Sequence, residues 1–166
     1  MNPIPLLTTF EGRISRSKLW LGVLYLMILS AVFYAILYPF FGTDVFTSPY
    51  SDGLTARALA SLIATALFAW PSTAIAVKRL RDRNRPLWFV AFFWAPTVIM
   101  ILAQLTGVGY ERVQAQGEVY MVPDTLGMTV SFLSLPVALW AIVELGFLKG
   151  TAGPNPHGPD PLAAKA

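Results

Sequence analysis

The sequence predicts an all-α membrane protein: a four-transmembrane-helix bundle with a basic cytoplasmic motif face, formed as one integral membrane domain over residues 1–166. Three observations lead there. The chain is 55% apolar and only 13% charged, about half the charged share of an ordinary soluble domain. Apart from Glu144, charge is missing from four stretches, Leu19–Phe41, Ala58–Val77, Leu87–Gly109 and Thr125–Leu148. Each is long enough for the roughly 20 residues that cross a bilayer core. The bases gather between and beside these stretches, most densely in Lys78–Trp88. That segment reads KRLRDRNRPLW and has Asp82 as its one acid.

Orientation follows from the same bases. The N-terminus, the middle segment and the tail hold ten of the twelve Lys and Arg residues; the outer loops hold Arg57 and Arg112. Short loops retain Lys and Arg on the cytoplasmic side, so four crossings place both termini in the cytoplasm. The net charge of +3 is therefore a topology signal and an attraction to anionic headgroups. Nucleic acid is not expected as a partner, because the bases sit in short loops at a membrane surface.

Several chemistries are excluded. The absence of cysteine removes disulfides, thiolate catalysis, CxxC redox chemistry and Cys-based zinc sites. The single histidine, His157, cannot make a His-based metal site alone. There is no GxSxG, HExxH, Walker loop or paired-carboxylate pattern. No enzyme activity, metal or cofactor is expected.

Taken in order, Met1–Thr9 carries Pro3 and Pro5 and is expected to be irregular. Ser15 is placed to N-cap the first membrane helix by accepting a free backbone N–H. Arg13, Arg16 and Lys18 lie where they reach headgroups. Leu19–Phe41 is too long for a signal peptide's roughly 7–15-residue apolar core and lacks a small-x-small exit, so it is expected to stay attached. Trp20 and Tyr38, Phe40 and Phe41 occupy its aromatic-belt positions. Gly42–Thr55 is an outer loop with Asp44 and Asp52, and Thr55 can cap the next helix.

Ala58–Val77 is rich in Ala and Ser, which favours close packing in lipid. Pro71 should kink it, with Ser72 or Thr73 satisfying the freed carbonyl. Leu87–Gly109 carries Trp88, Trp94 and Pro96. In the second outer loop, Tyr110–Val113 and Val119–Val122 flank Gln116-Gly117, a pattern compatible with a small β-hairpin. Thr125–Leu148 contains Pro136 and Glu144, and Gly150 is expected as its C-terminal cap. The tail, residues 149–166, has Pro154, Pro156, Pro159 and Pro161 and cannot be helical.

Three segments together resemble the DUF805 family of small bacterial inner-membrane proteins. Phe10-x-Gly12-Arg13-Ile14-Ser15-Arg16, followed by Trp20, is similar to the family's F-x-G-R-x-x-R segment. Lys78-Arg79-Leu80-Arg81-Asp82, then Arg85 and Trp88, is similar to its R-R-L-H-D segment. Gly150-Thr151-x-Gly153-x-Asn155-x-x-Gly158-Pro159-Asp160-Pro161 matches its G-x-x-G-x-N-x-Y-G-P-D-P tail. Arg81 stands where the family usually has His, so no proton-transfer role is carried over to it. His157 stands where Tyr is common, and Pro86-Leu87 replaces a small pair. The resemblance implies four membrane helices, a bacterial inner-membrane location and a cytoplasmic motif face, and it supplies no reaction.

The candidate site residues are Arg13, Arg16, Arg79, Asp82, Arg85, Glu144 and Asn155. Asp82 either balances local charge in a turn or fixes Arg79 or another Arg bidentately. Glu144, near the end of its span, either reaches the interface, pairs with a motif Arg, or lies on a proton or ion pathway. Arg79 is the first expected partner, with Arg13, Arg16 and Arg85 next. Gln104, Thr65, Thr97, Thr129 and Ser134 suit helix–helix hydrogen bonds. His157 and Asp160 read as a solvated turn. The three motif segments hang from helix ends on one side and are expected to meet, with the tail folded back and Asn155 both donating and accepting.

The function expected is a non-enzymatic interaction or anionic-lipid-binding module whose partners are membrane lipids, other membrane proteins or a second copy. The alternative is a small transporter or channel subunit, drawn from the prolines in three helices. Only one ionisable residue within a span argues against it.

Overall fold

A computed structural model describes residues 3–42, 56–115 and 118–163. The expected outer loop Gly42–Thr55, the Thr55 cap and the Gln116-Gly117 turn fall almost wholly outside the described residues. So does the side chain of Gln104. The elements are α1 (Pro3–Thr8), α2 (Arg16–Phe41), α3 (Ala56–Asp82), α4 (Phe89–Thr106), β1 (Tyr110–Ala115), β2 (Glu118–Pro123) and α5 (Thr125–Ala141). A π-helical stretch over Ile142–Phe147 continues α5.

Among the described residues, three helical segments are long and apolar enough to cross a membrane: Arg16–Phe41, Leu59–Asp82 and Thr125–Phe147, with mean hydropathies of 2.2, 1.6 and 2.0. The distribution of burial is the reverse of a water-soluble domain's. Met27, Phe132 and Leu139 are each more than 60% exposed, whereas Arg79 is 1% and Glu144 2% exposed.

Five expectations are corrected. The chain is not all-α: β1 and β2 pair antiparallel from Tyr110↔Pro123 to Ala115↔Glu118. Their β-branched and aromatic residues suit a pleated ribbon. The third apolar helix is shorter than Leu87–Gly109, because α4 has only 18 residues and a length of about 27 Å. Pro86 precedes it, and Gly107 and Gly109 follow with φ of 71° and 83°. Such left-handed backbone suits glycine and ends the helix.

The second helix does not stop at Val77 but runs to Asp82, so half of the basic segment is helical. It ends in a Schellman turn: Arg85 N–H donates to Leu80 O at 2.9 Å and Asn84 N–H to Arg81 O at 3.1 Å. Asn84 takes the left-handed position at φ 52°, which Asn tolerates.

The N-terminus is not irregular. Pro3 and Pro5 fall in the first turn of α1, where their missing N–H groups would have no helical acceptor anyway. Gly150 does not cap the last helix, which ends at Leu148 in an extended conformation (ψ 145°).

The residues cluster into two compact units. The first comprises Met1–Ile28, Phe68–Trp94 and Val137–Ala166. Its apolar core is Leu6, Ile14, Leu19 and Ile75. A Cβ at Gly22 would meet Ile75 Cδ1 at 2.7 Å, so glycine leaves room for the Ile75 side chain against α2. Helix α1 is held by its last turn. Lys78 Nζ donates to Pro5 O and, at 2.9 Å, to Leu6 O, while Trp70 Nε1 donates to Thr8 O at 3.0 Å. The Phe10 ring meets Trp70 edge-on at 4.7 Å. These donors satisfy carbonyls that a helix end leaves open.

Around Pro71, the Ser72 hydroxyl lies 2.5 Å from Phe68 O, and Thr73 Oγ1 accepts from Trp94 Nε1 at 3.0 Å. Neither bond reaches the carbonyl that the proline frees.

The second unit comprises Leu29–Leu67 and Ala95–Pro136. Asp124 caps α5, its Oδ1 accepting from Gly127 N–H at 2.9 Å. A Cβ at Gly127 would collide with the Gly109 carbonyl, so this contact requires glycine. An apolar cavity of about 320 Å³ lies beside it, lined by Met100, Ala103 and Val130 among others.

Candidate functional site: an arginine–carboxylate network

The site lies wholly within the first unit. It starts from two residues of α3, Arg79 and Asp82, which the extended helix places three apart on one face. Asp82 Oδ2 accepts from Arg79, and Oδ1 accepts from Arg13 Nε at 3.2 Å. All three side chains are almost fully buried. Two guanidinium groups thus share one carboxylate, the charge-assisted geometry that Arg suits.

Arg13 ties the tail to this pair. Its NH1 donates to Gly153 O at 2.8 Å and Gly158 O at 3.2 Å, and its NH2 to Thr151 O at 2.7 Å. The tail is also bound to the backbone of α3: Thr151 N–H and its hydroxyl both donate to Asp82 O at 2.8 Å. Asn155 Nδ2 donates to Arg81 O at 2.9 Å, and Oδ1 accepts from His157 N–H at 2.9 Å. Asn155 and Gly158 close a small antiparallel bridge. A Cβ at Gly150 would strike the Asp82 carboxylate, so glycine is needed there for approach rather than for capping. Asp160 faces backbone, not His157. N–H groups of Leu162 and Gly153, each at 2.9 Å, hold its carboxyl below the ordinary carboxylate range.

A second node forms around Glu144. Its Oε1 lies 3.1 Å from Arg83 Nε and 3.0 Å from Arg85 Nε. Oε2 is 3.4 Å from Trp140 Nε1. The expected partner, Arg79, is not used, because Asp82 on its own helix takes it first. Arg83 was absent from the expected site. Its only sequence signal was membership of the basic run.

The π-helical stretch joins the nodes. Its wider winding, with Leu148 N–H bonding Val143 O at 3.1 Å, turns successive carbonyls outward. Glu144 O accepts from Arg83, Leu145 O from Arg79 Nε at 2.7 Å, and Gly146 O from Trp20 Nε1 at 3.3 Å. Phe147 O accepts from Arg16 at 3.0 Å and Leu148 O from Arg79 NH2 at 2.5 Å. Five consecutive carbonyls at the negative end of a helix are thereby met by donors, four of these five bonds coming from Arg. Nothing in the sequence marked this stretch as π-helical.

Of the expected site residues, Arg13, Arg79, Asp82 and Asn155 meet in the first node. Arg85 and Glu144 meet in the second. Among the described residues, Arg16 touches one π-helical carbonyl, Phe147 O. Arg81 donates to Phe10 O, and its buried Nε has no partner among the described residues.

Apolar helices with exposed faces, and a few charges gathered and buried at one set of helix ends, define a helical membrane protein. The chain belongs to DUF805, a family described as a protein of unknown function, whose sequence profile matches residues 7–159. No curated protein and no solved structure matches the chain.

Proposed function

We propose that the protein is a non-enzymatic, multi-pass protein of the bacterial inner membrane that binds anionic lipid headgroups through a cytoplasmic basic face. The observation that carries this reading is the partition of charge. The unit holding the network has ten Lys and Arg against four Asp and Glu, and the other unit has two against five. Positive charge beside apolar spans favours the cytoplasmic leaflet, with about 1 kcal/mol of attraction to anionic lipid for each base near the surface.

The buried bases do not do this binding. Arg13 and Arg79 are committed to Asp82 and to carbonyls. Among the described residues of this unit, the exposed bases are Arg16, Lys149 and Arg85, of which Arg85 also pairs with Glu144, and Lys18 is half-buried. The network is the scaffold that holds them at helix ends.

The test compares the purified full chain in nanodiscs of zwitterionic lipid and of zwitterionic lipid doped with phosphatidylglycerol, counting retained anionic lipids by native mass spectrometry. Enrichment of phosphatidylglycerol over its bulk fraction is expected. Retention at the bulk fraction ends the reading.

A further inference from the structure

The tail, the start of α2 and the end of α3 enclose a cavity of about 330 Å³. We propose that this cavity is a binding site for a single phosphate group, of the kind a phospholipid headgroup carries. The inference rests on the headgroup reading and gives it a location and a ligand chemistry.

Two bases with open donors reach the cavity wall. Lys149 makes no hydrogen bond or ion pair among the described residues. Arg16 uses only NH1, on Phe147 O, which leaves its remaining N–H donors open. Ser15 lines the same wall at the N-terminus of α2, where the helix dipole favours an anion.

Of the two carboxylates that also border the cavity, Asp82 is paired with Arg13 and Arg79, and Asp160 keeps its charge while both its oxygens accept backbone N–H groups. Arg16, Arg79 and Lys149 against Asp82 and Asp160 leave the lining with a net positive charge.

Size agrees with a headgroup. The volume is at the lower end of the roughly 300–1,000 Å³ found for small-molecule sites. It admits a phosphate with a glycerol attached. The neighbouring spans are apolar and exposed on their outer faces, so a lipid's chains have a surface to lie along.

The experiment uses the full chain in zwitterionic nanodiscs, with one arm titrating phosphatidylglycerol and the other inorganic phosphate. Saturable binding of one phosphatidylglycerol per chain is expected, weakened at least tenfold in the Arg16→Gln/Lys149→Gln double variant. Ala152→Phe fills the cavity with every charge kept and is expected to weaken binding equally. It decides the matter if the double variant fails to fold. Arg112→Gln, which removes a base in the other unit, is expected to leave binding unchanged. Displacement of the lipid by inorganic phosphate identifies free phosphate as the better ligand of the same site; no displacement identifies the lipid. Undiminished binding in both cavity variants overturns the site and leaves the headgroup reading standing. No preference for anionic lipid in the unaltered chain overturns both.

Discussion

Arg13 and Asp82, 69 residues apart, form a buried pair in which Arg13 Nε donates to Asp82 Oδ1 at 3.2 Å. Asp82 also neutralises Arg79, so one carboxylate answers two buried cations. Truncating it strands both, and breaking a buried pair on one side costs about 3–5 kcal/mol. Asp82→Ala is expected to lower thermal stability in detergent by an amount of that order. A shift of under about 1 kcal/mol would show that the pair is solvated.

Glu144 separates two kinds of arginine. Arg83 is 10% exposed and Arg85 46% exposed in their side chains. Glu144→Ala leaves Arg83 buried without a counter-ion and is expected to cost about 3 kcal/mol. Arg85→Ala removes an arm that water already solvates and is expected to cost about 0–1 kcal/mol. Equal losses from the two changes would contradict this division.

Gly150→Ala places a methyl against the Asp82 carboxylate. Overpacking of this kind costs about 1–3 kcal/mol. Because the collision is with Asp82, the same change should cost less once Asp82 is Ala. A double-mutant cycle is expected to give a coupling of about 1 kcal/mol or more; additive effects would rule the contact out.

Asp160 sets a pH dependence. Its two backbone N–H partners depress the native pKa, so its contribution is full above the unfolded carboxylate value of about 3.9. It is lost as pH falls from there through the lower native value. Hydrogen exchange at Gly153 and Leu162 is expected to lose protection on acidification through that window. Asp160→Asn should remove the dependence.

Orientation is open to reporter fusions. Reporters placed after Arg83 and after Ala166 are expected to report the cytoplasm, and those after Ser51 and Gln116 the opposite side. Reversal at any of the four positions contradicts the charge argument.

Much of the architecture was present in one dimension. Apolar runs and their lengths mark membrane helices without reference to anything distant, because a bilayer core imposes a length and forbids charge residue by residue. The Ser15 cap was legible for the same reason, its Oγ accepting from Lys18 N–H at 3.4 Å. So was the pattern of the β1–β2 hairpin.

What the tertiary structure decided was pairing. From the sequence, Glu144 had four candidate arginines; the fold gave it Arg83 and Arg85, because α3 continues past Val77 and delivers Arg79 to Asp82. The continuation itself depends on partners. Lys78, Arg79 and Asp82 can lie buried at a helix end only where the N-terminal segment, the tail and the π-helical carbonyls accept and return their hydrogen bonds. A hydrophobic run announces itself locally, since water or lipid acts on each residue alone. A buried charge is tolerated only by groups brought to it from elsewhere in the chain, and their positions do not exist until the chain has folded.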